Sequence, residues 1–302
     1  MPRIAKEQAE RIIANGARIL FEYCKDHDIH YLVTGSSGGL DSAVTLGFAH
    51  RACEMARSQS FQLTSVGLIL PCLSKPNAER LGTLAIKTFH AELLPSNLSY
   101  IYEVIKDDVL PDFDFRIKAL LRDTKGQVLV DWEKRRKTAL GNLKARLRMM
   151  LGTYYVANMI GGLVLATGNL SETLMGFWTI CGDVGDFNLI GNILKGLELY
   201  DIAQAIGVPQ EIIDAKPDAD LGDGNDEEQL GAPYPVIDQV MVNLIQRGFN
   251  PSGSKQQLDL MPEMADAVIR RIATRSLNTA FKRKGTIVLT REELGLPPIK
   301  NL

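Results

Sequence analysis

A glycine- and serine-rich segment early in the chain has the residue types of a phosphate-binding loop. An apolar stretch at residues 30–33 precedes it and another at residues 43–49 follows it, which predicts a loop between a strand and a helix. Glycines let a ligand approach the backbone closely, and the unsatisfied amides at a helix start attract anions. Serine hydroxyls add hydrogen-bond donors. The candidate residues are Ser36, Ser37, Gly38, Gly39, Leu40, Asp41 and Ser42.

The carboxylate of Asp41 is the unexpected member of this loop, because a negative charge repels phosphate. A divalent cation that bridges Asp41 to the phosphates resolves the conflict. The segment has neither the lysine nor the spacing of a Walker A loop, so that class of nucleotide site is not indicated. An ordinary glycine-rich turn is the alternative, but three serines and an aspartate in one loop favour a phosphate site with a metal ion.

A second polar turn, at residues 167–172, follows a predicted strand at residues 163–166. Ligands of open parallel sheets bind beyond the carboxyl ends of the strands, where two such turns can lie side by side. We therefore expect Asp41 and Glu172 to share one Mg²⁺. The alternative is that Asn169 or Ser171 caps the helix and that Glu172 is a first-turn acid stabilised by the helix dipole.

Apolar segments that alternate with helical patterns predict an α/β fold, a doubly wound parallel sheet flanked by helices. The predicted strands are residues 30–33, 65–70, 100–104 and 163–166. The predicted helices are residues 2–28, 41–57, 77–90, 115–121 and 142–160. We expect a single domain over residues 1–302, with a mobile acidic loop at residues 216–235 and a C-terminal tail from about residue 276.

Five motifs follow one another along nearly the whole chain. They are residues 37–42 (SGGLDS), residues 141–149 (GNLKARLRM), residues 167–172 (TGNLSE), the segment 182–195 with Gly182, Asp183 and Lys195, and residues 230–234 (LGAPY). The first resembles the pyrophosphate-binding loop of the N-type ATP pyrophosphatases. The ordered set resembles the ammonia-dependent NAD synthetases, which belong to that PP-loop family and have the adenine nucleotide alpha hydrolase-like fold.

The resemblance implies a ligase that amidates the nicotinate carboxylate of deamido-NAD. The carboxylate would attack the α-phosphorus of ATP, and ammonia would then displace AMP, with no side-chain nucleophile. The resemblance assigns Asp41 and Glu172 to Mg²⁺, and it assigns Thr167 and Lys195 to ATP together with the first loop. It assigns Arg146, Asp186 and Lys282 to deamido-NAD. It also implies a homodimer, for which the predicted helix at residues 142–160 is the candidate contact.

Several positions depart from the family pattern on the acceptor side. Ile180 stands where the family has a lysine, Asp218 stands where it has threonine or serine, and Phe281 replaces the histidine before Lys282. Asp186 matches its family position only across a gap of one residue. Two alternatives therefore stay open at this point: a PP-loop enzyme that adenylates a different carboxylate or base, and a nucleotide-binding regulator without catalysis.

Composition excludes some other classes of partner. A net charge of −2 gives no reason to expect nucleic acid, and no segment is apolar for long enough to span a bilayer. Four cysteines without a C-x-x-C spacing indicate neither a disulfide framework nor a zinc site and fit a reducing cytoplasm. Because few residues precede the first strand, no glutaminase region is expected, and free ammonia is the expected nitrogen source.

Overall fold

The computed structural model describes residues 4–122, 126–127, 130–182, 184–216 and 225–297, and it contains one five-stranded parallel sheet. The strands are β1 (Tyr31–Gly35), β2 (Thr64–Ile69), β3 (Glu92–Pro95), β4 (Leu163–Ala166) and β5 (Phe187–Asn188). Their order across the sheet is β3-β2-β1-β4-β5, and every neighbouring pair is parallel. The predicted doubly wound α/β fold is confirmed.

The helices that connect and flank these strands account for most of the other described residues. The α-helices are α1 (Lys6–Asp26), α2 (Leu40–Ser58), α3 (Pro76–Thr88), α4 (Ser99–Val104), α5 (Leu110–Leu120), α6 (Trp132–Leu147), α7 (Tyr154–Ile160), α8 (Leu170–Met175), α9 (Tyr200–Ile206), α10 (Gln210–Ile213), α11 (Asp226–Leu230), α12 (Tyr234–Gln246), α13 (Gln257–Leu260), α14 (Ala267–Asn278) and α15 (Ala280–Arg283). Residues Ile105–Val109, Arg148–Thr153 and Lys195–Leu199 form π-helical turns, and Pro262–Ala265 forms a 3-10 turn.

Both faces of the sheet are buried, as the run of apolar residues in β1 requires. Leu32 packs with Leu20 of α1 in one apolar cluster. Its neighbour Val33 points to the other face and packs with Ala157 of α7 and Val164 of β4. Helices on both faces of a parallel sheet force the strands to be apolar throughout, which explains why the strand was recognisable.

The strand order places the two polar turns next to each other. The chain moves outward from β1 to β3 and then returns to place β4 on the other side of β1. In the register of these two strands, Val33 lies opposite Val164. The loops that follow β1 and β4 therefore leave the same edge at the switch point of the sheet, which is where such folds bind ligands.

The predicted strand at residues 100–104 is wrong. This segment is helix α4, in which Tyr100 is 78% exposed whereas Tyr102 is buried. The missed strand is β3, which lies at the edge of the sheet with all four residues exposed, so no apolar alternation marks it. Pro95, which lacks a backbone N–H, is tolerated there because an edge strand leaves one side unpaired.

Other predicted boundaries also differ from the structure, and the helix predicted at residues 115–121 begins five residues earlier, as α5. The helix predicted at residues 142–160 is two helices, α6 and α7, joined by a π-helical turn. The acidic loop predicted at residues 216–235 contains α11, whose start is capped by Asn225, and the first two residues of α12. Its residues 217–224 lie outside the described residues. The tail expected from about residue 276 is helical through Asn278 and again in α15, because the apolar face of α14 continues to Leu277.

Contacts between residues divide the chain into two compact units. The first is Met1–Thr173 with Phe177–Gln239, and it contains the sheet. The second is Leu174–Gly176 with Val240–Leu302, where Ser276 Oγ donates a hydrogen bond to the carbonyl of Leu174 at 2.7 Å. A single domain stays a prediction. None of the helices in the described ranges is both long and apolar enough to cross a membrane.

Candidate functional site

A cavity opens at the carboxyl ends of β1, β2 and β4, at the switch point of the sheet. Of the residues predicted to hold the nucleotide and metal ion, all except Gly38 line it: Ser36, Ser37, Gly39, Leu40, Asp41, Ser42, Thr167, Glu172 and Lys195. Further lining residues, none of them predicted to bind the nucleotide, include Arg148, Phe177, Trp178 and Asp226. The cavity therefore brings together most of the nucleotide-side prediction in one place.

The loop after β1 is fixed against helix α3 rather than free in solution. Gly38 has a φ of +84°, and a Cβ at this position would lie 2.3 Å from the carbonyl oxygen of Ala78. Ser36 Oγ donates a hydrogen bond to the carbonyl of Gly82 at 3.0 Å. Gly38 thus packs against α3 on the side of the loop away from the cavity, while its neighbours Ser37 and Gly39 line the cavity. Helix α2 begins at Leu40 and directs its amino-terminal amides toward the loop.

Asn169 joins the two polar turns. Its side-chain oxygen accepts a hydrogen bond from the backbone of Glu172 at 3.0 Å, and Glu172 Oε2 accepts one from the backbone of Asn169 at 3.1 Å. This reciprocal pair is a capping box. Asn169 Nδ2 also donates to Asp41 Oδ1 at 2.7 Å. The helix-cap interpretation of Glu172 is therefore correct, and it coexists with a place in the cavity instead of replacing it.

Lys195 brings the carboxylates of the site together. Its ammonium lies 2.6 Å from Asp41 Oδ2, 3.9 Å from Glu172 Oε1 and 4.0 Å from Asp226 Oδ2. The side chain is only 4% exposed, which excludes the surface base that the residue type alone would indicate. Burial disfavours the ammonium, but the surrounding carboxylates outweigh burial and raise the pKa of Lys195. Lys195 is therefore charged in the site.

The carboxyl group of Glu172 is less easily ionised than an ordinary glutamate. Burial, together with the nearby charge of Asp41, raises the pKa of Glu172 to about 8. Three carboxyl groups share one ammonium here, so the negative charge is only partly compensated. A further positive charge would favour full ionisation of this cluster.

The donor set of Asp41 and Glu172 fits a magnesium ion. Both carboxylates reach the same ammonium, so both can face one cation, and carboxylate oxygens are the ligands that Mg²⁺ prefers. Within the described ranges, no group of three or more His, Cys, Asp or Glu side chains could hold a metal ion alone. In nucleotide enzymes one or two carboxylates usually share Mg²⁺ with phosphates and water.

The three residues predicted to bind the dinucleotide do not line the cavity. Arg146 is exposed and donates from Nε to the carbonyl of Ile180 at 3.2 Å. The carboxylate of Asp186 accepts hydrogen bonds from Tyr154 Oη at 2.9 Å and from the backbone of Val164 at 3.0 Å. Lys282 belongs to the second unit, where its ammonium donates to the carbonyl of Gly176 at 2.8 Å. Their roles toward the dinucleotide stay predictions.

The sequence analysis missed the residues after position 225 that complete the site. Tyr234 lies beneath Lys195, with its ring centroid 4.7 Å from the ammonium, and Asp226 lies beside both. These residues fall in a segment whose acidic composition is typical of a solvated loop. The motif at residues 230–234 was the available signal, because it ends at Tyr234.

Asp238 on α12 supports the turn that carries Lys195. Its Oδ2 accepts a hydrogen bond from the backbone N–H of Gly196 at 2.7 Å, while no partner is found for Oδ1 in the part of the chain that is described. The residue is 0% exposed, and burial raises its pKa to about 6. The carboxylate therefore holds the start of the Lys195 turn at a cost in stability.

We expect Asp238→Asn to relieve that cost above about pH 6. An acid whose pKa is higher in the folded than in the unfolded chain loses stability as the pH rises between the two values, here 3.8 and about 6. Asparagine keeps an oxygen that can accept from Gly196 but carries no charge. The free energy of unfolding of the variant, relative to the wild type, should rise by about 1 kcal/mol between about pH 5 and about pH 8.

Denaturant unfolding at the two pH values measures this change. Asp112→Asn, which neutralises an exposed acid on α5, is the matched control and should show no such pH dependence. A difference between Asp238→Asn and the wild type that stays constant with pH would contradict the assignment of the stability cost to the buried charge.

Comparison with known proteins agrees with the predicted family and fold. Residues 12–286 match the sequence family described as NAD synthase. The chain is similar to the NH(3)-dependent NAD(+) synthetase of Pyrococcus furiosus, with 30% identity over 281 residues, which cover 92% of this chain and 95% of that relative.

Two solved structures share the fold. The NMN synthetase from Francisella tularensis has a TM-score of 0.65 at 23% identity, with 95% of this chain and 98% of that chain covered. The NH3-dependent NAD synthetase from Campylobacter jejuni has a TM-score of 0.62 at 23% identity, with 93% of this chain and 99% of that chain covered.

Proposed function

This chain belongs to the NAD synthase family, and on that premise we propose that it amidates the nicotinate carboxylate of deamido-NAD with free ammonia at the expense of ATP. The products are NAD, AMP and pyrophosphate. The observation that carries the proposal is the single cavity in which Asp41, Glu172 and Lys195 meet beside the serine-rich loop. The other PP-loop reactions and the non-catalytic regulator are not favoured, because the family match covers most of the chain.

The first step transfers the adenylyl group. An oxygen of the nicotinate carboxylate attacks the α-phosphorus of ATP, the bond between that phosphorus and the α,β-bridging oxygen breaks, and pyrophosphate leaves. The residues of the loop that line the cavity, together with the unsatisfied amides at the start of α2, can hold the departing anion. Lys195 supplies a buried positive charge, and Thr167 supplies a hydroxyl at the end of β4.

The second step forms the amide. Ammonia attacks the carbonyl carbon of the acyl adenylate, AMP leaves as its phosphate oxygen takes the electron pair, and the nitrogen loses a proton to solvent. The carboxylate needs this activation because it is a poor acyl donor to ammonia. The adenylate is a better acyl donor because AMP is a good leaving group. No side-chain nucleophile is required, so the chain contributes binding, orientation and charge.

Asp41 and Glu172 are the proposed ligands of a magnesium ion that accompanies ATP. When bound, the ion neutralises charge on the phosphates and on the departing pyrophosphate. Asn169 orients both ligands, because it hydrogen-bonds to each of them. The capping box therefore fixes Glu172 before the nucleotide arrives.

An acceptor assay tests the proposal. The protein is incubated with ATP, Mg²⁺ and ammonia, with either deamido-NAD, nicotinate mononucleotide or no acceptor, and AMP, ADP and the amide are quantified. The expected result is AMP and NAD in equal amounts with deamido-NAD. Formation of ADP, or AMP only with the mononucleotide, would show that the activity or the acceptor is different.

Ile180→Lys should tighten binding of the dinucleotide. Residue 180 is 41% exposed, and its carbonyl accepts a hydrogen bond from Arg146, which is itself predicted to bind the dinucleotide. A lysine here restores the cation that the family pattern has at this position, and a charge-assisted contact should lower the KM for deamido-NAD by about tenfold. Steady-state kinetics with saturating ATP measures the change.

Ile180→Gln is the matched control, since it has a long polar side chain without the charge. Its KM for deamido-NAD should stay near that of the wild type, and the KM for ATP should be unchanged in both variants. Equal effects of lysine and glutamine would contradict a role for charge at this position.

We also propose that the chain forms a homodimer. Its contact is the region of residues 142–160, which the sequence analysis predicted as a helix at the dimer interface. Tyr155 and Met159 of α7 are largely exposed apolar residues, as is Met150 in the preceding turn. Tyr155→Glu should lower the sedimentation coefficient from that of a dimer to that of a monomer, since a charge in an apolar contact is unfavourable. Leu260→Glu, at an exposed leucine of the second unit, should leave the dimer intact.

A cytoplasmic location is the last part of the proposal. The four cysteines, which have no C-x-x-C spacing, support a reducing compartment. Fractionation of cells that express the tagged chain would test the location directly.

A further inference from the structure

The ammonium of Lys195 has more partners than a phosphate contact requires. Asp41 and Glu172 lie on its side toward the two polar turns, and Asp226 and the ring of Tyr234 contact it from a separate part of the chain. The nearest partner is Asp41 at 2.6 Å. Without nucleotide, Lys195 is therefore paired mainly with one of the two proposed metal ligands.

Binding of magnesium creates a conflict over these ligands. A divalent cation at Asp41 and Glu172 takes the negative charge that now pairs with Lys195, and it repels the ammonium. A buried ammonium that loses its partner is costly unless another group compensates for it. Among the residues that the structure describes, Asp226 and Tyr234 also contact Lys195 and are not proposed to bind the metal ion.

Asp226 and Tyr234 are held in place independently of the phosphate-binding loop. Asp226 is the first residue of α11, whose start is fixed by a capping box between Asn225 and Glu228. The backbone N–H of Tyr234 donates to Glu227 Oε1 at 3.0 Å, and Tyr234 Oη lies 3.5 Å from Asp226 Oδ2. Both residues are buried. They thus form a fixed pair that does not depend on what Asp41 binds.

We propose that Asp226 and Tyr234 are positioning residues that retain the Lys195 ammonium at the cavity once a metal ion occupies Asp41 and Glu172. The inference rests on the proposed function, because it takes the metal pair from there. Asp226 supplies the compensating charge, and the Tyr234 ring supplies a cation–π contact that remains favourable in a dry site. Lys195 can then contact the phosphates although the metal ion repels its ammonium.

Nucleotide binding, measured with and without magnesium, tests this role apart from catalysis. Affinity for a non-hydrolysable ATP analogue is measured by calorimetry, with fluorescence of the cavity residue Trp178 as a second signal. Asp226→Asn should weaken binding by about tenfold in the presence of Mg²⁺ and leave it unchanged in EDTA, where Asp41 still holds Lys195. Glu7→Gln, which removes an exposed charge from α1, should change neither value.

Two substitutions of Tyr234 separate the ring from the hydroxyl. Tyr234→Phe keeps the ring and should bind the magnesium analogue like the wild type, whereas Tyr234→Leu should bind it more weakly. If Tyr234→Leu does not fold, binding by Tyr234→Phe and Asp226→Asn still tests the positioning role. Tighter binding by Asp226→Asn, or equal weakening with Mg²⁺ and with EDTA, would overturn the inference.

The same affinities distinguish failure of the proposed function from failure of the positioning role. If the wild type binds the analogue equally with Mg²⁺ and with EDTA, the metal pair itself is wrong, and the inference is overturned with it. If the wild type keeps its dependence on Mg²⁺ and Asp226→Asn keeps the same ratio of affinities, only the positioning role is wrong.

Discussion

Asp41→Asn should abolish nearly all formation of AMP while leaving the fold intact. The amide keeps an oxygen that can accept from Asn169 and occupies the same volume, but it removes the negative charge that lies 2.6 Å from Lys195 and is proposed to hold Mg²⁺. Loss of one metal ligand should cost about 4 kcal/mol of stabilisation of the reacting phosphates, or a rate loss of about a thousandfold. Glu172→Gln should act in the same direction.

The measurement is the initial rate of AMP release at several concentrations of Mg²⁺. The variants should need more Mg²⁺ and should not regain the wild-type rate at saturation, because the lost charge cannot be replaced by the free ion. Asp112→Asn is again the control for a lost carboxylate on the surface. Wild-type turnover by Asp41→Asn or by Glu172→Gln would refute the shared metal site.

The two polar turns could be predicted from the sequence because local signals mark each of them, and their proximity follows from the parallel sheet. A buried strand, a glycine turn and a polar helix start can be read within about ten residues, and the geometry of parallel sheets brings the turns to one edge. The capping box between Asn169 and Glu172 has the same local origin, since it depends on a spacing of three residues.

The surroundings of Lys195 could not be read in this way. Its burial depends on contacts with Asp41, Asp226 and Tyr234, which are distant in sequence and meet only in the folded chain. The acidic composition around Asp226 favoured a solvated loop, although one acid there faces inward. Only the family motif that ends at Tyr234 pointed to this region, and a motif does not say which neighbour its residues contact.

The residues predicted to bind the acceptor form hydrogen bonds within the fold. Asp186 hydrogen-bonds to the start of β4, and Arg146 to the carbonyl of Ile180, so both have structural partners within the chain. Their roles toward the dinucleotide rest on the family resemblance. The Ile180→Lys experiment therefore addresses the acceptor side directly.

Gly38→Ala should disrupt the phosphate-binding loop more than an alanine at any other glycine of the loop. The new Cβ would lie 2.3 Å from the carbonyl oxygen of Ala78 and 3.1 Å from the backbone nitrogen of Gly82, and backbone atoms cannot rotate away as a side chain can. The φ of +84° adds strain for any residue with a Cβ. Overpacking and strain together should lower the free energy of unfolding by about 3 kcal/mol.

Gly35→Ala separates this steric effect from the general loss of a glycine. Gly35 also lines the cavity, but a Cβ there meets no atom within 4 Å, so the variant should unfold at the same denaturant concentration as the wild type. Because Gly38 sets the path of the loop from behind, its alanine variant should also raise the KM for ATP even where the chain remains folded. Equal stability of the two variants would mean that α3 moves aside, and that the loop takes its shape from the strand and α2 alone.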